Sequence, residues 1–165
     1  MRRKALATPG RAEYDDNGFF IPREWIEGII ARGLGDKAKA NAAFLAARKR
    51  AAAAVGQRPD DARALIVLGQ IDAALGRKDD AIREGERATQ LLPISKDAVN
   101  GANVVERLAR IYAQVADTNR ALDFLEKATK LPNGPTYGSL KLEDDWDRLR
   151  GDPRFEKIVQ SLAPK

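Results

Sequence analysis

Small residues recur at fixed intervals through this chain, always inside short amphipathic stretches, and that spacing constrains the fold more than any other feature. The clearest copy runs from Asp61 to Pro93, DARALIVLGQIDAALGRKDDAIREGERATQLLP, and reads as two short helices joined at a turn containing Gly76. Helix axes approach to roughly 8–10 Å only where the contacting side chains are small. Gly69, Ala81 and Ala88 lie one face apart at helical spacing and are expected at helix crossings. A glycine inside a helix costs about 1 kcal/mol against alanine, so Gly69 between Leu68 and Gln70 implies a packing reason.

Two further copies flank this one. From Pro22, alignment of Gly35 with Gly76 sets Gly28 opposite Gly69, Ala40 opposite Ala81, Phe44 opposite Gly85 and Ala47 opposite Ala88. The second helix of this copy is expected to run on through Ala51 to Val55, and so to protrude, before Gly56 and Pro59 stop it. After a long link, ISKDAVNGAN, the third copy places Leu108-Ala109, Tyr112, Ala121, Leu125 and Ala128 on the same pattern. Ala116 replaces the turn glycine there, Pro132 arrives one residue early, and Asp117-Thr118-Asn119 supplies a turn and a helix N-cap. The repeats are expected over about 21–61, 62–101 and 102–135.

Both ends break the pattern. Residues 1–20 hold Pro9-Gly10 and Asn17-Gly18 turn signals with little periodicity, and are expected to be extended or partly disordered. Phe19, Phe20 and Ile21 then form an apolar anchor, and Pro22 suits the first turn of a helix. In the capping segment, 136–165, Trp146, Leu149, Phe155, Ile158 and Leu162 can cover the last apolar face of a helical stack. Asp152 before Pro153 marks the start of a final helix.

Composition narrows the function. With 44% hydrophobic and 32% charged residues the 165-residue chain can form one globular domain, and sparse aromatics with abundant alanine favour an all-α fold. The absence of Cys and His removes disulfides, thiolate nucleophiles, Ser-His-Asp triads and nearly all zinc chemistry. The net charge of +5 comes mostly from Arg2-Arg3-Lys4 and Arg48-Lys49-Arg50, with no interleaved aromatics for base stacking, so no nucleic-acid partner is expected. No run of about 18 apolar residues and no apolar core near Met1 suggest a membrane span or secretory leader, and a cytoplasmic location is the expectation.

The Asp61–Pro93 stretch resembles a tetratricopeptide repeat (TPR). With Ala62 as first position, Leu68-Gly69, Gly76, Ala81, Ala88, Leu91 and Pro93 fall on the family's landmarks. The order IPREWIEGIIARGLGD, PDD, LARIYAQV and LEDDWDRLRGDPRF is similar to the C-terminal repeat region of large bacterial signalling proteins. There the region follows a serine/threonine kinase or a winged-helix transcriptional domain. The resemblance covers nearly all of residues 19–162 and implies a right-handed superhelix of about three helix pairs with a capping helix. It also implies a non-enzymatic protein- or peptide-binding scaffold with no cofactor, or else a sensor arm packing against another domain of a longer chain. No kinase signature is present.

In that family the ligand groove is lined by the first helix of each repeat. Carried over, its positions are Trp25, Ile29 and Arg32, then Arg63, Ile66, Gln70 and Ala73, then Asn103, Glu106, Arg110 and Gln114. Gln70, Asn103, Arg110 and Gln114 could hydrogen-bond an extended peptide or grip a carboxylate, with Trp25 as aromatic anchor. The Lys and Asn set with which one subset of the family holds a C-terminal carboxylate is replaced here by Trp25 and Ile29, so that specialised role is not expected. The acidic cluster Glu143, Asp144, Asp145, Asp147 and Asp152 does not fit a calcium loop, because from Asp145 the sixth position is Arg150 rather than glycine. A glycosidase-like carboxylate pair would lack a sugar-stacking cleft. Helix capping and pairing with Arg148, Arg150 and Arg154 are the expected roles of these acids.

Overall fold

The structure, a computed structural model, describes residues 13–16 and 18–164. The Pro9-Gly10 turn falls outside the described residues. Strand β1 (Glu13–Asp16) pairs antiparallel with β2 (Phe19–Pro22), with Glu13 opposite Pro22 and Asp16 opposite Phe19. Gly18 supplies the left-handed backbone of the connection, at φ +82°. The segment expected to be extended or partly disordered therefore contains a hairpin. Its first strand, Glu-Tyr-Asp-Asp, has little β propensity; what fixes the hairpin is its second strand, which buries Phe19 and Ile21.

Eight helices follow among the described residues: α1 (Arg23–Gly33), α2 (Lys37–Gln57), α3 (Ala62–Ala74), α4 (Lys78–Leu91), α5 (Ala98–Gln114), α6 (Thr118–Ala128), α7 (Tyr137–Leu142) and α8 (Pro153–Ser161). A 3₁₀ turn over Asp144–Leu149 lies between the last two. The protein is thus mostly helical, as expected of an all-α fold. Pro22, expected in the first turn of α1, stands one residue earlier as its N-cap, where a missing N–H costs nothing.

The six helices α1 to α6 form three pairs, α1 with α2, α3 with α4 and α5 with α6. One turn design serves all three. Asp36 N–H donates to Ala31 C=O, Arg77 N–H to Asp72 C=O and Asp117 N–H to Tyr112 C=O, each across six residues. These are Schellman turns, which need a left-handed residue just past the helix end. Gly35 and Gly76 provide it at φ +79° and +76°, and Ala116 is held there at φ +61°. The next helix is capped at the same slot by Asp36 and Asp117, which accept from Lys39 N–H and Arg120 N–H. Arg77 fills that slot in the middle pair and makes no side-chain cap.

The small residues sit at the crossings. A Cβ added at Gly69 would lie 3.1 Å from the Ala81 carbonyl oxygen and 3.4 Å from the Gly85 nitrogen, so α3 crosses α4 there. The same Cβ would meet Ile111 Cδ1 at 3.0 Å, as would one added at Gly85. Ile111 of α5 therefore fills a notch between two facing glycines. In the first pair the notch is closed differently, by the Phe44 ring over Gly28, where an added Cβ would lie 2.4 Å from Phe44 Cε1.

Helix α2 is extended as expected, but it passes through Gly56, expected to stop it, and ends at Gln57 with Arg58 as C-cap. The link before the third pair is shorter than the sequence suggests. Asp97 caps α5 by accepting from Val99 N–H and Asn100 N–H, so the pair begins near residue 98 rather than 102. Asn100-Gly101 looks like a turn, but Gly101 is helical and is needed because a Cβ there would lie 2.9 Å from Ile94 Cα. At the far end Asp152 caps α8 ahead of Pro153, and Trp146, Leu149, Phe155 and Ile158 are buried.

Two outcomes follow for stability. Ala116→Gly relieves an alanine held at positive φ and should raise the free energy of unfolding by about 0.5–1 kcal/mol. Gly69→Leu should lower it by about 1–3 kcal/mol, because the notch already holds Ile111. Urea unfolding of both variants measures the two values on one scale.

Candidate functional site

The first helices of the three pairs, α1, α3 and α5, carry the groove positions carried over from the family. The hairpin strand β2 and the 3₁₀ segment lie across much of this face. Strand β2 packs against α1, α2 and α3. Its Phe19 is fully buried, with the Arg107 guanidinium 4.4 Å above its ring. Arg107 Nη1 donates to Gln70 Oε1 at 2.8 Å, and the Arg63 guanidinium lies against Gly18. Gln70 is therefore buried, at 7% exposure, and Arg63 is half-buried beside the hairpin.

The 3₁₀ segment covers the other half. Arg110 Nη1 pairs with Asp145 at 2.7 Å and Glu143 at 2.6 Å, while Nη2 pairs with Glu106 at 2.6 Å. The Trp146 ring, fully buried, stacks 4.9 Å from the same guanidinium. Gln114 Nε2 donates to Asp145 Oδ1 at 2.9 Å. Burial opposes the Arg110 charge, yet Glu106, Asp145 and Glu143 outweigh it and hold the guanidinium even more firmly protonated than usual. One cation thus fastens two carboxylates and an indole from the C-terminal segment onto α5.

Several expected groove residues are not in a groove. Trp25 was the expected aromatic anchor; it is 8% exposed and packs against Phe44 of α2, with ring centroids 5.4 Å apart. Ile29 and Ile66 are also buried in the core. The reason is geometric: in α1 and α3 the apolar stripe is wide enough that these positions face the neighbouring helices and β2. Asn103 and Glu106 are half-buried on the α5 stripe that continues through Arg107, Arg110 and Gln114.

What stays open is a cleft of about 410 Å³ where α1, α3 and α5 end. It is lined by Arg32 and Gly33 of α1, Ala73 and Ala74 of α3, Gln114 of α5, and Asp144, Asp145, Asp147 and Arg148 of the 3₁₀ segment. Of the expected site residues, the structure brings Arg32, Ala73 and Gln114 together here. Arg32 is exposed and lies 5.7 Å over the Phe44 ring. Asp147 is partly neutralised by Arg150 at 2.7 Å, whereas Arg154, an expected partner of the acidic cluster, pairs instead with Asp123 and Glu126. Such a lining offers separated cationic and anionic groups around a small apolar floor. It can make hydrogen bonds and ion pairs to groups of either charge. Among the described residues no group of three or more acidic, His or Cys side chains is placed to hold a metal ion.

Neither a protein-family model nor a curated protein matches this chain.

Sequence reasoning missed Arg107 and the lining role of Arg148. Arg107 lies four residues after Asn103 and three before Arg110, so helical spacing alone places it on the same stripe. Arg148 gave no such signal, because its position depends on a 3₁₀ turn rather than on a periodic helix.

Arg110→Met should destabilise the fold by about 3–5 kcal/mol, since it strands Glu106, Glu143 and Asp145 around an apolar side chain. Denaturation followed by Trp fluorescence checks this.

Proposed function

We propose that this protein is a non-enzymatic interaction module of TPR type, in which three helix pairs follow one another in a right-handed superhelix. It takes a short segment of a protein partner. The repetition of one Schellman turn at Gly35, Gly76 and Ala116 supports the repeat reading, since the same backbone unit is used three times. The binding surface is smaller than a full groove. The observation that carries the proposal is the open cleft at the ends of α1, α3 and α5, bounded by Arg32, Gln114, Asp144 and Arg148, beside helix faces already covered by the hairpin and the 3₁₀ segment.

Arg32 and Arg148 are the groups that would grip a partner's carboxylate, and Gln114 and Asp144 would accept or donate hydrogen bonds to its backbone and basic groups. Each charge-assisted contact contributes about 1.5–3 kcal/mol where water is excluded. The charge pattern also disfavours partners of one sign only.

A second reading is a regulatory arm that rests against another domain of a longer signalling chain. The outward face of α2 favours it: Ala38, Ala42, Leu45, Ala46 and Ala53 are exposed there, beside the exposed Leu34 of the first turn.

Selection of peptides from a displayed library on the intact chain separates the two. Arg32→Ala and Arg148→Ala alter exposed side chains and should leave the fold intact while weakening the selected peptide about ten- to hundredfold. Unchanged affinity in both variants overturns the cleft as the binding site and turns the search to the α2 face, where Leu45→Asp is the corresponding change.

A further inference from the structure

Two acidic side chains are buried where α2, α3 and α4 meet, and neither the repeat architecture nor the cleft uses them. Asp72, near the end of α3, has no exposed surface, and Glu84 on α4 is 9% exposed. Asp72 Oδ1 is well supplied with donors. Arg48 Nε of α2 lies 2.5 Å from it and Arg77 Nε of the α3–α4 turn 3.0 Å. Asp72 Oδ2 and Glu84 Oε2 are both buried, and no donor among the described residues reaches either. The helices that carry them, α3 and α4, pack together, and the two side chains are close enough for each carboxylate to act on the other. Two acceptors facing one another repel, and a buried unpaired acceptor costs about 1–3 kcal/mol.

One hydrogen removes both faults. We propose that Glu84 is protonated in the folded protein at neutral pH and donates a hydrogen bond to the Asp72 carboxylate, so that this shared proton locks the α2–α3–α4 junction and is released in alkaline solution. The surrounding charges fit that arrangement. Arg48 comes from α2 and Arg77 from the turn, and both are already engaged by Asp72. Asp80 and Arg83 on α4 itself are paired with each other. From α5 the neighbours of the adjacent Gly85 are the apolar Leu108 and Ile111. The nearby cations are thus engaged by other carboxylates, and the Arg83 charge offsets only part of what burial and Asp72 do to Glu84. In agreement, burial first and the Asp72 charge second push the Glu84 carboxyl up to about 8.

The sign of the pH dependence follows. Glu84 has a higher affinity for its proton in the folded chain than the ordinary value of 4.5, so its contribution is complete below that pH and is lost as pH rises towards 8. Stability should decline through the neutral range.

The direct test is a ¹³C NMR titration of the glutamate carboxyl signals in the intact wild-type chain, with Glu84→Gln used only to assign the resonance. A Glu84 midpoint on the alkaline side of neutrality supports the shared proton, and a midpoint on the acid side overturns it. Thermal unfolding gives a second reading. The wild-type melting temperature should fall between pH 6 and pH 9, and Glu84→Gln, which keeps a donor for Asp72, should abolish most of that fall. An equal fall in both chains overturns the proposal. Should Glu84→Gln fail to fold, the wild-type titration still decides, with the signal assigned by sequential NMR correlations.

Discussion

The insertion of Ile111 between Gly69 and Gly85 holds the middle of this molecule together. Two facing glycines let α3 and α4 come close enough to leave a notch, and the notch is filled by a side chain from the next pair. Packing within one pair is thereby tied to packing between pairs. The first pair reaches close contact by another route, the Phe44 ring over Gly28, which consumes its notch internally. The hairpin strand β2 packs on this first pair and on α3, burying Phe19 and Ile21.

Polar side chains then decide which faces remain available. Arg107 and Arg110 project from one face of α5, one towards the aromatic ring of the N-terminal strand and the other towards an indole and two acids of the C-terminal segment. A buried arginine holding three carboxylates is costly to desolvate and costly to break. Its role is best understood as fixing where the 3₁₀ segment docks. With the face covered by β2 and the 3₁₀ segment, a cleft at the helix ends still combines exposed charge with an apolar floor.

Much of the helical framework was legible in the sequence. Glycine and alanine spacing located the crossings, Asp117 and Asp152 were read correctly as N-caps, and even the anomaly at Ala116 lies on the same turn as its glycine counterparts. The site was less legible for a physical reason. A helix at the centre of a stack is buried on more than one side, so periodicity alone does not tell a groove position from a core position. Trp25, Ile29 and Ile66 sit on the wrong side of that distinction. Ion pairs across long sequence separations, such as Arg110 with Asp145 or Arg48 with Asp72, leave no local pattern at all. A single acid inside the apolar run ALIVLGQIDAALG was the one visible hint of the Asp72–Glu84 contact.

The meeting of the hairpin and the 3₁₀ segment on α5 also changes how the molecule comes apart. In a simple stack each pair touches only its neighbours, so unfolding can begin at an end and travel inward one unit at a time. Here Phe19 reaches past the middle pair to Arg107, and Trp146 closes on Arg110 less than one helical turn away. The hairpin cannot lift without uncovering Arg107 on α5, and the 3₁₀ segment cannot lift without unsettling Arg110 on the same helix. Three helix pairs joined by one turn design are thus expected to unfold together rather than one pair at a time.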